Sequence, residues 1–217
     1  MKISAPSFVI PADREKNVLY LKELVDEVEL AFFDSRHDFD MPPDEEIQAL
    51  SRIDMTYSAH LPTDADLNTE NGWRVIDSYI RVLRPLKPVR LVIHPVESSF
   101  FLNELIRRKE HNIIIENTDF YGPFFDDAVE AGIRLCFDNA HAGDMAENFL
   151  GKYSRHIDEY HLQGIIGNRH HKSLEHIEKS LLKSIFRAAE KYNSTVCLEI
   201  FNEADFLKSY DIFKELS

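Results

Sequence analysis

Short β-rich apolar runs alternate with longer stretches of helical spacing eight times along this chain. The runs are Ile3–Ile10, Val28–Phe33, Met55–His60, Val89–His94, Asn112–Glu116, Ile133–Asp138, His156–Leu162 and Thr195–Ile200. The intervening and closing helix candidates are Arg14–Val25, Asp44–Arg52, Gly72–Arg84, Ser98–Glu110, Pro123–Ala131, Ala142–Tyr153, Ser173–Tyr192 and Glu203–Leu216. Parallel strands need a crossover between them, usually a helix. Eight strand–helix units at a period of about 27 residues predict a closed (β/α)8 barrel, a fold that runs down to roughly 200 residues. The chain has 217 residues. It is therefore expected to be a compact, single-domain α/β barrel over residues 1–217 with short loops. A doubly wound open sheet is the rival arrangement.

The local patterns agree with that reading. Leu91-Val92-Ile93 and Ile113-Ile114-Ile115 are β-branched, near-continuous apolar runs, as in strands covered on both faces. From Ser173 onward, Leu174, Ile177, Leu181, Ile185 and Ala188 follow a 3.6-residue period. Ser173 is the predicted N-cap of that helix. Val75, Ile76, Tyr79, Ile80 and Leu83 line one side of another helix, which Pro85 ends.

Composition narrows the function. Lys and Arg number 25 against 38 Asp and Glu, a formal net charge of −13. Nucleic-acid affinity rests largely on neutralising phosphates with Lys and Arg. The densest basic run is Arg107-Arg108-Lys109, so the expected substrate is a small molecule, with no nucleic acid and no membrane among its partners. The opening Met1–Pro6 lacks the continuous apolar region of a signal peptide, and a cytoplasmic location is expected. Cys136 and Cys197 lie inside apolar runs and read as buried thiols.

The strand ends carry the chemistry. His60, His94, Glu116, Asp138, His161 and Glu199 each follow apolar residues at the end of a predicted strand, and His141 follows Asp138 by one turn. A closed barrel gathers its strand ends at one mouth, where active sites sit. Glu116, Asp138 and Glu199 would repel one another there. A divalent cation removes that cost, and mixed carboxylate and imidazole donors suit zinc, manganese or iron. Taken singly, a strand-end His or Glu is commonly a solvated group or a helix-capping partner. Six in succession, one to a strand, are not accounted for by such separate roles. Glu29 lies inside the second run, where it either faces the barrel interior and orients a metal-bound His or pairs with a neighbouring Arg or Lys.

These residues resemble the xylose-isomerase-like TIM-barrel superfamily, which includes the AP endonuclease family 2 group. Ile115-Glu116-Asn117-Thr118, Asp138-Asn139-Ala140-His141, His161-Leu162 and Leu198-Glu199 match its strand-end motifs in order. Within the superfamily the chain looks most like the cobamide-remodelling phosphodiesterases. Ser7–Ala12, Asn17-Val18, Val25–Leu30, Tyr57–Pro62 and His161-Leu162-Gln163-Gly164 carry that narrower likeness.

The resemblance implies a metal-dependent hydrolase that cleaves the nucleotide-loop phosphodiester of a cobamide, giving a cobinamide phosphate and a nucleoside. It implies one to three divalent ions per chain, zinc or manganese. Glu116, Asp138, His161 and Glu199 match a ligand set shared by isomerases and endonucleases. His60 and His94 match an additional metal position, and His141 and His171 a third. Glu116 and Glu199 are the implied catalytic pair.

The endonucleases also place an Asp shortly before that last His. Here the stretch is Gly167-Asn168-Arg169-His170-His171, with no carboxylate, so His170 substitutes or the third site is weak or absent. The alternative enzyme is a sugar or sugar-phosphate isomerase or epimerase with one metal, which leaves His60, His94 and His141 without a ligand role. A non-catalytic binding barrel is a third reading. His37, His111, His156 and His176 are expected at surface or structural positions. Phe32, Phe33, Phe120, Tyr121, Phe124, Phe125 and Phe201 would either pack on a planar substrate or fill the core.

Overall fold

The computed structural model describes residues 1–35, 41–118 and 122–217. His37, Phe120 and Tyr121 lie outside the described residues. Eight parallel strands close into a barrel: β1 (Lys2–Pro6), β2 (Glu27–Ala31), β3 (Thr56–His60), β4 (Leu91–Ile93), β5 (Ile113–Glu116), β6 (Arg134–Asp138), β7 (Ile157–Leu162) and β10 (Thr195–Leu198), which pairs back to β1. The helices are α1 (Arg14–Leu21), α2 (Asp44–Leu50), α3 (Glu70–Leu83), α4 (Ser99–Arg107), α5 (Pro123–Glu130), α6 (Asn139–Ala142), α7 (Ala146–Tyr153), α8 (Lys179–Tyr192) and α9 (Glu203–Leu216). A short antiparallel hairpin, β8 (Gly164–Ile166) with β9 (Arg169–Lys172), follows β7. The closed barrel excludes the open sheet. No helix among the described residues is long and apolar enough to cross a membrane.

The alternation of strand side chains separates two environments. Outward residues such as Val28, Leu30, Ile93, Ile115, Leu135, Phe137, Leu162 and Leu198 join buried helix residues in one apolar layer around the barrel. Val92, Ile114 and Cys136 form a separate small apolar cluster. Val92 pairs with Ile114 in the barrel register and Cys136 with Glu116, two residues further along the same strand face, so all three lie on the opposite face of their strands. The same register carries Ser4, Glu27, Glu29, Ser58, Glu159, His161 and Cys197, all buried. Barrel interiors are usually filled by branched aliphatic side chains. This one is largely polar. Arg90 bridges Glu27 and Glu159 inside it, its Nε 2.9 Å from Glu159 Oε2. Cys136 and Cys197 are buried free thiols, as expected.

Several predicted boundaries shift. The first strand stops at Pro6 because the Ser7 N–H turns to Glu29 O at 2.8 Å and the Phe8 N–H closes a tight turn on Pro6 O at 2.7 Å. The helix predicted from Ser173 is interrupted. Ser173 caps only a 3-10 turn, Leu174–His176, and Glu178 caps α8 through Leu181 N. The helix predicted from Ala142 is broken near Gly143, which adopts φ +48°. Thr69 rather than Gly72 opens α3, accepting the Gly72 N–H at 3.1 Å. Gly72 itself is required by close approach, since a Cβ there would lie 2.0 Å from Asp66 O.

Candidate metal centre

The carboxyl ends of the strands meet around Glu116. This side chain is buried, and its Oε2 lies 3.0 Å from His60 Nε2, 3.5 Å from His161 Nδ1 and 3.6 Å from His94 Nε2. Its Oε1 lies 3.7 Å from His141 Nε2. Among the described residues four overlapping groups could each hold a cation: His60–Glu116–His161, His94–Glu116–His141, Asp138–His161–Glu199 and, deeper in the barrel, Glu29–His161–Cys197, with ligand atoms in each within 4.8 Å of one another. Seven of the eight residues singled out as ligands thus converge in these groups. His171 stands beside them. Its Nδ1 is 3.0 Å from Glu199 O and 3.7 Å from Glu199 Oε2. His141 groups with His94 rather than with His171. His170 is exposed at the cavity edge.

The electrostatics follow from burial among like and unlike charges. Burial pushes the Glu116 carboxyl up, but the His161, His60 and His94 imidazoles around it prevail and hold it well below the ordinary range. Burial raises the Glu199 carboxyl too, and there His161 does not prevail: with Asp138 and Glu116 adding to burial, the group is held well above the ordinary range. Burial works against a charged His161, but Glu29 and Glu116 beside it raise it well above 6.5. His60 is raised by Glu116 in the same contest.

A divalent metal fits these residues. The His161 Nδ1 is buried and has no hydrogen-bond partner, although it faces three carboxylate-bearing strand ends. A buried polar atom of this kind ordinarily has a partner. The opposite nitrogen, Nε2, lies 3.2 Å from Glu29 Oε2. Glu29 therefore faces the barrel interior and orients His161, and its alternative pairing with Lys or Arg is not what forms. The mixed imidazole and carboxylate donors suit zinc or manganese.

Residues that the strand-end argument does not reach hold the rim together. The Asn117 side chain donates to Asp138 O at 2.9 Å and accepts the Asp138 N–H at 2.7 Å, stapling β5 to β6 where their ladder ends. Asn139 does the same for Gln163, at 2.9 Å in both directions. The Gln163 Nε2 donates to Asp138 Oδ2 at 2.8 Å and to Glu199 Oε2 at 2.6 Å, while its Oε1 accepts the His171 N–H at 3.0 Å. Their signal in the sequence is their place, one or two residues past a strand-end ligand. Asp138 itself caps α6, accepting from Ala140 N and His141 N, which fixes the turn carrying His141.

A cavity of about 180 Å³ opens over the centre, lined among others by Ala31, Phe33, Thr63, His94, Gln163, His171 and Phe201. Phe33 and Phe201 thus stand at the mouth, whereas Phe32, Phe124 and Phe125 are buried in the core. His111, His156 and His176 take no part in the site.

The closed eight-stranded parallel barrel is shared with solved structures of several kinds. A protein from Thermus thermophilus soaked with zinc chloride matches over 100% of this chain and 98% of its own, with a TM-score of 0.73 and 20% identity. D-psicose 3-epimerase with D-tagatose from Clostridium cellulolyticum matches over 93% and 85%, with a TM-score of 0.71 and 14% identity. Endonuclease IV from Thermus thermophilus matches over 100% of both chains, with a TM-score of 0.67 and 14% identity. No protein-family profile and no curated protein matches the sequence. The shared fold hosts unlike chemistries, so function has to be argued from the site.

Proposed function

We propose that this chain is a metal-dependent phosphodiesterase that cleaves the nucleotide-loop phosphodiester of a cobamide. The observation that carries this reading is the surplus of donors around Glu116. An isomerase with one ion needs Glu116, Asp138, His161 and Glu199, whereas here His60, His94 and His141 also close on Glu116. Divalent ions held by these groups would stabilise charge on the phosphate oxygens and lower the pKa of water to about 7. The protein's own contribution is orientation. Glu29 fixes His161, Gln163 fixes Asp138 and Glu199, and the narrow mouth limits water around the reacting phosphate. The net charge of −13 supports a small-molecule substrate over nucleic acid.

One observation favours the runner-up, a single-metal sugar or sugar-phosphate epimerase. Glu116 and Glu199 are pushed in opposite directions, one carboxyl held below and the other above the ordinary range, as an acid–base pair across a hydroxy-ketone requires. Incubating zinc- or manganese-loaded protein with a cobamide and, separately, with a ketose phosphate tests the choice. Release of a nucleoside from the cobamide is expected. Turnover of the sugar phosphate alone would replace the first reading with the second.

A further inference from the structure

Phe8 and Phe33 are 45% and 42% exposed, and among the described residues no other phenylalanine is exposed. The two touch each other. Their ring centroids are 5.4 Å apart, and each packs edge-on against Phe201, at 6.3 Å and 5.7 Å. Phe201 in turn stacks on the His171 ring at 4.0 Å. The rings form a continuous shelf that begins inside the cavity with His171 and Phe201 and runs outward over Phe33 to Phe8.

The shelf is built on fixed backbone. Phe8 follows the tight turn on Pro6, and Ser7 is pinned to β2 through Glu29 O and through its Oγ, which accepts the Ala31 N–H at 3.1 Å. A rigid apolar surface of this kind binds without a large ordering cost. Scattered exposed apolar residues need no explanation, but a contiguous aromatic patch at a cavity mouth marks a contact surface.

We propose that this shelf is the subsite for a flat aromatic base carried by the substrate, so that the reacting phosphodiester lies over Glu116 while the base of its nucleoside lies on Phe33 and Phe8. This rests on the phosphodiesterase reading and assigns the nucleoside end of the ester its place in the site. A small polyol has no ring to place there. The ligand chemistry, a base beside a phosphodiester, is shared by small nucleotide esters and by nucleic acid. The acidity of the chain favours the small ester.

The test compares zinc-loaded wild type with Phe8→Ala, Phe33→Ala and the double variant. The substrates are a benzimidazole riboside 3′-phosphate methyl ester, the same ester with hydrogen in place of the base, and an abasic DNA duplex. Base–aromatic stacking predicts a rise in KM for the base-bearing ester of roughly five- to hundredfold in the double variant. The expected change in kcat is small, and the base-free ester should be affected far less. An equal effect on both esters, or none on either, would overturn the shelf as a base subsite, and preference for the duplex would move the subsite to nucleic acid.

Binding of the free benzimidazole riboside, followed by calorimetry, separates this claim from the activity. Binding by wild type that the double variant loses, with no turnover of either ester, keeps the subsite and discards the phosphodiesterase. No binding by wild type discards the subsite.

Discussion

The Nε2 of His161 lies 3.2 Å from Glu29 Oε2, which turns the opposite ring nitrogen toward Glu116. Glu29 thus acts on the centre through His161, without standing among its strand-end donors. Replacing it by Gln keeps an acceptor but removes the charge. Metal affinity is expected to fall by about tenfold, the scale of a lost outer partner, with the fold retained. Competition against a chelator measures it. Unchanged affinity would mean that Glu29 does not orient His161.

The raised imidazoles set a pH dependence. A ligand His must be neutral to bind metal, so protons compete with the ion below its folded pKa. His60 and His161 are both held above 6.5, one by Glu116 and the other by Glu29 and Glu116, against burial. Their competition with metal therefore continues above pH 6.5. Apparent affinity is expected to keep rising with pH through that region in titrations at fixed ionic strength. A plateau already reached at pH 6.5 would contradict the charge arrangement.

The interior acids predict a stability slope of opposite origin. Burial and the neighbouring Glu159 push Glu27 up to about 7 from 4.5, with Arg90 opposing. For an acid whose folded pKa is raised, the folded state holds the proton longer than the unfolded state. Stability from this group is present below pH 4.5 and is lost as pH rises to about 7. A tenfold change in proton affinity is worth about 1.4 kcal/mol, so the loss is at most about 3 kcal/mol. Glu27→Gln should flatten that part of the metal-free unfolding profile. An unaltered slope between the two pH values would show that Glu27 ionises normally.

Gln163 links Asp138, Glu199 and the β8–β9 hairpin through one amide. Gln163→Ala leaves the buried Asp138 and the largely buried Glu199 carboxyls facing each other and the His171 N–H without its acceptor. Hydrogen bonds to charged groups are worth about 1.5–3 kcal/mol each, so metal-free protein should lose roughly that much or more. Metal-loaded protein should lose less, because the ion takes up the carboxylate charge. Thermal unfolding with and without zinc reads the difference, and equal losses would contradict it.

The strand-by-strand architecture is legible because each element carries its own signal. Ile113-Ile114-Ile115 reads as a doubly covered strand before any neighbour is known, and it is one. The strand-end ligands are legible for the same reason, a polar residue directly after an apolar run. The hairpin after β7 is not. Gly164-Ile165-Ile166 and Arg169–Lys172 are too short and too mixed to show a period, and their pairing depends on Gly164, where a Cβ would meet Ser173 O at 2.1 Å. The interior acids are equally hidden. Glu27 and Glu159 look like ordinary strand-edge charges until the register brings Arg90 between them. The apolar pattern places Phe8 in a strand, and the tight turn on Pro6 carries it to the mouth instead.

The donors closing on Glu116 from several strands lead to the expectation that it is shared by more than one ion. Metal content of purified protein, reconstituted with zinc and freed of excess, tests this most directly when measured beside His60→Ala and His94→Ala. At least two ions per chain are expected in wild type, with one fewer in each variant, because each His closes on Glu116 from its own strand. A single ion in wild type, retained by both variants, would contradict the account.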